Sequence, residues 1–113
     1  MLFGTQTVNE KGHLQVGGCD TVELAGNHGT PLYVIDEEAL RQRCVEYRQA
    51  FQDKSPSATV AFATKAFLCK SMAHLACEAG LHLDVASLGE LRLVAEAGDP
   101  KENVTLHGNC LLY

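Results

Sequence analysis

Three residues with usable chemistry stand at corresponding places in this sequence. Lys65 closes the stretch TVAFATK at 59–65, Asp84 lies within LHLDVA at 81–86, and His107 ends NVTLH at 103–107. A lysine amine is a nucleophile towards carbonyl carbon once it is positioned and deprotonated. A nearby carboxylate shifts the protonation of such a group, and an imidazole exchanges a proton near neutral pH. Each residue also has a plainer reading. A lysine at a strand end is usually solvated, an aspartate can cap a loop or pair with a cation, and a histidine there is more often hydrogen-bonded scaffolding than a catalyst.

Strand parity brings the three together. Val60 and Phe62 alternate with Ala61, Ala63 and Lys65. Leu81, Leu83 and Val85 alternate with His82, Asp84 and Ala86, and Val104 and Leu106 alternate with Asn103, Thr105 and His107. Side chains point to opposite faces in turn, so each strand offers one large aliphatic face for packing and one small or polar face. Lys65, Asp84 and His107 all belong to the second face, near the C-terminal ends of their strands. In α/β folds that edge is where ligands bind.

Alternating strands and helices supply this arrangement. Residues 30–35 (TPLYVI) are β-rich, with Pro31 at a position a strand start tolerates. Asp36 is an N-cap for a helix carrying Leu40, Cys44, Tyr47 and Phe51 at helical spacing, and residues 55–57 (SPS) break it. Glu37, Glu38, Arg41, Arg43 and Arg48 form its solvated face, with Glu37 and Arg41 at i,i+4. A strand at 59–64 follows. A helix at 71–79 then turns Met72, Leu75, Ala76 and Ala79 inward and stops at Gly80. After a strand at 81–86, Ser87 and Glu90 form a capping box. The helix they open has Leu91, Val94 and Ala95 inward and Gly98 beyond its end. Asp99 and Pro100 turn the chain into a fourth strand at 103–107. Parallel neighbours need long connections, so this order predicts parallel strands with helical crossovers, in an open doubly wound sheet or a (β/α)8 barrel. A full barrel takes about 250 residues, and 113 could supply under half of one. Before all this, residues 2–8 and 13–16 flank the turn-like cluster NEKG at 9–12 as a β-hairpin. Asp20 with Glu23 opens a short helix that Gly29 ends.

Bulk properties exclude some function classes. Nine basic against fourteen acidic side chains give a net charge of −5, which argues against a nucleic-acid partner held through phosphates. No apolar run is long enough to span a bilayer, and the N-terminus lacks the basic and apolar regions of a secretory signal. Cys19, Cys44, Cys69, Cys77 and Cys110 are scattered without a CxxC pair, so neither a zinc site nor a thioredoxin-like motif is indicated. Cys44 and Cys77 fall at apolar helix positions and are expected as small core residues, in a cytoplasmic chain with reduced thiols. His74 and His82 are expected to be structural.

Four segments carry a family resemblance. GTPLYVID at 29–36 is similar to the opening of the diaminopimelate decarboxylase barrel, typically GTPLYVYD. VAFATKAF at 60–67 resembles that family's strand ending in Y/F-A-x-K-A, whose lysine amine condenses with the aldehyde of pyridoxal 5'-phosphate. LDVASLGEL at 83–91 looks like its DVxSxGEL element, and VTLHGN at 104–109 like its HGN strand. All four occur in the family's order, each spaced by one βα unit.

The resemblance implies the N-terminal portion of a pyridoxal-phosphate-dependent barrel of the alanine racemase and ornithine decarboxylase type. Residues 29–113 would supply its first four strands. Residues 1–28 would belong to the family's separate β-domain. It implies Lys65 as catalytic residue and cofactor anchor, with Ala63 leaving room for the flat ring, Asp84 beside the lysine and His107 close to the cofactor. The implied activity is decarboxylation of meso-diaminopimelate to L-lysine, in homodimers that share active sites. After HGN the family continues with N-K-S and a helix, whereas this sequence reads CLLY at 110–113. The ring-stacking histidine, the glycine-rich phosphate loop, the acidic partner of the pyridine nitrogen and the second subunit's residues are expected outside these 113 residues. The chain alone is therefore expected to be inactive. Within the same fold group, an ornithine- or arginine-type decarboxylase is the enzymatic alternative. A non-catalytic, flavodoxin-like module would need a phosphate loop or acids after its first strand. Asp36, Glu37 and Glu38 offer acids there, but a helix N-terminus explains them equally well. A degenerate chain without function is the third alternative.

Overall fold

The structure is a computed structural model describing residues 1–98 and 101–108. The expected turn at Asp99 and Pro100, and everything from Asn109 onward, lie outside the described residues. Packing divides the chain into two compact units, Met1–Gln42 and Arg43–Tyr113.

In the first unit, β1 (Thr7–Val8), β2 (Leu14–Val16) and β3 (Cys19–Asp20) form an antiparallel sheet in that order. The expected hairpin is present, with a first strand of only two residues. Asn9 builds its turn: Oδ1 accepts from the Lys11 and His13 amides, while the Asn9 amide donates to the His13 carbonyl. The third strand was not foreseen. Gly17 and Gly18 make a two-residue connection with φ of 57° and 77°, and only glycine takes such a pair of angles cheaply. A Gly-Gly pair between short β-rich stretches was the available signal.

α1 (Thr21–His28) begins and ends as expected. Asp20 caps it by accepting from the Val22 and Glu23 amides, and Gly29 at φ 79° closes it. Glu23 does not complete a capping box; it pairs with Lys11 at 3.0 Å. Asp20 is buried, and its other oxygen takes Asn9 Nδ2 at 2.7 Å and His13 Nδ1 at 2.9 Å. Burial pushes this carboxyl up. The hydrogen bonds from His13, Asn9 and the two amides outweigh that and hold it at about 2, against an ordinary 3.8. The folded form thus binds its proton less readily than the unfolded chain. Its contribution is present above the ordinary value and is lost as pH falls towards 2. Amide exchange of Val22 and Glu23 is therefore expected to accelerate as pH is lowered through that window, after correction for intrinsic rates. Asp20→Asn, which cannot titrate, should lose most of this dependence.

The largest correction concerns residues 30–35. They form no strand, and Leu32, Tyr33, Val34 and Ile35 are exposed. β-rich composition reflects fitness for a pleated, half-buried surface. A strand exists only when its N–H and C=O groups find a neighbour, and no strand among the described residues pairs here.

α2 (Glu37–Gln52) crosses the boundary between the units. Asp36 Oδ1 accepts from the Ala39 amide, as its N-cap role requires. That bond, followed by the Thr5 hydroxyl, lowers the Asp36 carboxyl. The Glu37–Arg41 pair forms at 3.0 Å. Of the expected inward stripe, Cys44 is buried and Leu40 half-buried, but Tyr47 and Phe51 are each 56% exposed. Helical spacing makes a stripe; a neighbouring element must cover it, and for these two none among the described residues does.

The second unit is built on β4 (Ala61–Ala63), β5 (His82–Val85) and β6 (Val104–Leu106), parallel and adjacent in that order. α3 (Lys70–Glu78) and α4 (Leu88–Ala97) are the crossovers. This is the expected mixed α/β chain with parallel strands. Three parallel strands stand where four were expected, because residues 30–35 do not join. The core forms between β5, α3 and α4. Leu83 and Val85 are fully buried while His82 and Asp84 are half-buried, as parity requires. Burying each aliphatic side chain stabilises the unit by about 2 kcal/mol. α3 presents Met72, Leu75, Ala76 and Ala79 inward as predicted, and Ala73 joins them. On α4, Val94 is buried and Leu91 half-buried, but Ala95 is exposed. Cys77 is half-buried, at the margin of the core where a small side chain was expected.

Candidate functional site

The C-terminal edge of the parallel sheet gathers the three residues singled out by parity. In register, Ala63 lies beside Asp84 and Asp84 beside Thr105. β4 stops one residue earlier than expected. The chain then enters a 3₁₀ turn, Thr64–Ala66, and Lys65 sits within it. Lys65 thus reaches the edge by a turn, and strict alternation ends at Ala63. The outcome for the side chains is the same: Thr64 is buried and Lys65 exposed. Ala63 is half-buried.

Asp84 and His107 form a pair. The His107 amide donates to the Val85 carbonyl at 2.9 Å, extending the β6 ladder by one bond. Its Nδ1 stands 2.5 Å from Asp84 Oδ1. An ionised carboxylate only accepts, so Nδ1 carries the proton, and a neutral ring then leaves Nε2 as an acceptor. The His107 side chain is 71% exposed and that of Asp84 25%, so the pair looks outward from a rigid strand. His82, one pleat earlier on β5, is half-buried. His74 lies on α3, 3.2 Å from Glu78.

Three further residues hold this edge, and the sequence had not marked them for it. Thr64 Oγ1 is 2.9 Å from both the Asp84 carbonyl and Glu90 Oε2. Glu90 Oε2 also accepts from the Ala86 amide at 2.7 Å. The Ala86 amide, followed by the Thr64 hydroxyl, holds the Glu90 carboxyl below its ordinary range. Gly108 packs so closely that a β-carbon there would stand 2.8 Å from the Ala86 carbonyl oxygen. A polar residue on the packing face of a strand was the signal for Thr64. Glu90 showed only as a cap, and Gly108 only as part of HGN.

The arrangement can present an amine to a carbonyl compound beside an acid–imidazole pair. Among the described residues the Lys65 side chain makes no hydrogen bond or ion pair, whereas Lys11 and Lys70 are held by Glu23 and Glu96. A family model described as pyridoxal-dependent decarboxylase, pyridoxal binding domain, matches residues 37–111. The chain belongs to that family.

Several similar proteins are diaminopimelate decarboxylases. A diaminopimelate decarboxylase of Halalkalibacterium halodurans is 52% identical over 106 residues, covering 94% of this chain and 24% of that protein. One from Bacillus subtilis is 47% identical, covering 96% and 25%. The crystal structure of diaminopimelate decarboxylase from M. jannaschii in complex with L-lysine superimposes with a TM-score of 0.79 at 29% identity. It covers 94% of this chain and 25% of that one. The chain therefore spans about a quarter of the length of the relatives it matches. The match begins at the start of α2, at residue 37, and takes in the whole edge that carries Lys65, Asp84 and His107.

The site fits the family's cofactor in the part that concerns the aldehyde. An amine without a hydrogen bond or ion pair among the described residues lies exposed on a short turn, with small Ala63 before it and a hydrogen-bonded carboxylate–imidazole pair at the ends of the two next strands. Among the described residues no helix is long and apolar enough to cross a membrane.

Proposed function

We propose that this sequence supplies the cofactor-anchoring edge of a pyridoxal-phosphate-dependent enzyme that decarboxylates meso-diaminopimelate to L-lysine. The observation that carries this is Lys65 at the end of β4, exposed and without a partner among the described residues, with the Asp84–His107 pair at the ends of β5 and β6. The identity of about half to diaminopimelate decarboxylases over nearly the whole chain supports the substrate.

In this proposal Lys65 Nζ would hold the cofactor through its aldehyde, which an amine nucleophile takes up with loss of water. The chemistry that bound pyridoxal phosphate supplies is an electron sink for the pair left on carbon as CO₂ departs. Asp84 is the acidic neighbour on the adjacent strand, in register with Ala63. It also holds the His107 ring through Nδ1. Ala63 keeps the wall flat where a ring would lie. The substrate is a small amino acid bearing carboxylates and amines. Its recognition, and the phosphate, call on further groups, including those of a second subunit in a homodimer. Residues 29–113 form part of a (β/α)8 barrel and residues 1–28 part of an accompanying β-domain, in a cytoplasmic enzyme.

The test is CO₂ release from meso-diaminopimelate by a protein in which this sequence is continued to the length of its relatives. Release with L-lysine as product is expected. Release from ornithine or arginine instead would move the assignment to the neighbouring decarboxylases, and release from no amino acid would refute it.

A further inference from the structure

We propose that Glu90 is a positioning residue for Lys65. Its carboxylate ties the turn that carries Lys65 to the end of β5, and so sets where the amine stands relative to Asp84 and His107. The proposal rests on the cofactor assignment of Lys65.

The geometry exceeds what a helix cap needs. In a capping box the third helical residue's carboxylate returns to the N–H of the cap residue, here Ser87. Ser87 does its half, with Oγ accepting from the Glu90 amide at 3.2 Å. Beyond that return to Ser87, the Glu90 side chain takes the amide of Ala86, one residue earlier, and reaches across to the Thr64 hydroxyl. Both bonds use one oxygen, Oε2. Thr64 and Glu90 are 26 residues apart in sequence, and Thr64 is the residue immediately before Lys65.

Each end of this tie touches the site. Thr64 Oγ1 also stands 2.9 Å from the backbone carbonyl of Asp84, so its single proton is shared between two acceptors, and one buried hydroxyl lies against the residue that holds His107. Ala86 is where Gly108 packs, directly after His107. Glu90 thereby joins the ends of β4 and β5 at the point where the end of β6 rests. The carboxylate remains ionised through the neutral range because both donors favour the charged form. As an ionised acceptor it fixes direction: Thr64 must donate. Hydrogen bonds to charged groups are the stronger kind. Placing a reactive group to within a fraction of an ångström is the task such supports perform.

The experiment uses the 113-residue chain, pyridoxal phosphate and borohydride. An amine and the aldehyde condense with loss of water, hydride reduces the carbon–nitrogen double bond, and the stable secondary amine is mapped by peptide mass. The rate at Lys65 is read against Lys54, Lys70 and Lys101 in the same sample. Glu90→Ala and Thr64→Val are each expected to slow labelling at Lys65 by about tenfold, the scale of one lost charge-assisted hydrogen bond, without slowing the other three. The double variant should be no slower than either single one, because both remove the same tie. Thr64→Ser, which keeps the hydroxyl, should label like the parent, as should Glu90→Gln to within about threefold, since its amide can still bridge Ala86 and Thr64. Circular dichroism identifies any variant that fails to fold, and the Thr64→Val and Thr64→Ser pair tests the tie while leaving the α4 cap intact.

If the parent labels Lys65 preferentially while Glu90→Ala and Thr64→Val do so at the parental rate, Glu90 is only a helix cap and the proposal is overturned. If the parent labels Lys65 no faster than the other lysines, the cofactor assignment itself fails and takes the proposal with it. Labelling slowed alike at all four lysines in folded variants would mean no effect particular to Lys65 and would also contradict a positioning role.

Discussion

Replacing Lys65 with alanine is expected to abolish CO₂ release from meso-diaminopimelate, by on the order of 10⁴-fold or more, in a protein that continues this sequence to the length of its relatives. That is the scale on which removing a covalent nucleophile acts. Folding should be untouched. The Lys65 side chain is exposed and engages no hydrogen bond or ion pair among the described residues, and such surface changes stay within about 0.5 kcal/mol. Lys65→Arg separates the possible reasons for the loss. It keeps the positive charge, but a guanidinium is always protonated and forms no bond to an aldehyde. Equal loss in both variants means that the amine is the functional group. Activity retained in Lys65→Arg would mean that Lys65 serves as a charge.

Gly108→Ala should cost a large share of stability for a single added methyl group. The new β-carbon would stand 2.8 Å from the Ala86 carbonyl oxygen, with the Ala86 carbonyl carbon and Cα at 3.6 and 3.7 Å. All three are backbone atoms of the neighbouring strand end, so no side chain can swing aside. Either the end of β6 lifts from β5, costing the His107 amide its bond to Val85, or β5 itself bends. Overpacking of this kind costs about 2 kcal/mol, which lowers the unfolding midpoint of so small a unit by roughly 10 °C. Gly98→Ala is the reference. Its β-carbon meets nothing within 4 Å, and its only penalty is φ 83°, about 1 kcal/mol. Thermal unfolding of the two variants should rank Gly108→Ala as the less stable. The reverse order would show that strand-end packing is looser than these distances imply. Because His107 moves with Gly108, its contact with Asp84 should weaken as well.

What the sequence discloses here is what depends on neighbours in the chain. Asp20 and Ser87 cap their helices, and Gly29 and Gly98 end them, because a cap is settled within a turn of backbone. The alternation of Leu83 and Val85 with His82 and Asp84 survives intact, since that strand has partners on both sides. Lys65 was placed at the right edge by parity although a 3₁₀ turn, not a strand, delivers it there. Features that depend on distant partners were misread or missed. Residues 30–35 have the composition of a strand but no partner to pair with among the described residues. Tyr47 and Phe51 have the spacing of a buried stripe, yet remain exposed. Glu90 is recognisable as a cap from Ser87 three residues before it. Its bond to Thr64 cannot be read from residues so far apart, and neither can the contact between Gly108 and Ala86. The edge shared by the candidate site's residues was therefore open to a reader of the sequence, while the scaffold that holds that edge was not.

The central claim is that Lys65 is the amine that takes the cofactor aldehyde, and one measurement addresses it directly. The chain is incubated with pyridoxal phosphate, reduced with borohydride, digested, and the modified lysines are counted by peptide mass. Modification at Lys65 well above that at Lys54, Lys70 and Lys101 is the predicted result. Equal modification of all four would contradict it, and would leave Lys65 as a solvated lysine at the end of a strand.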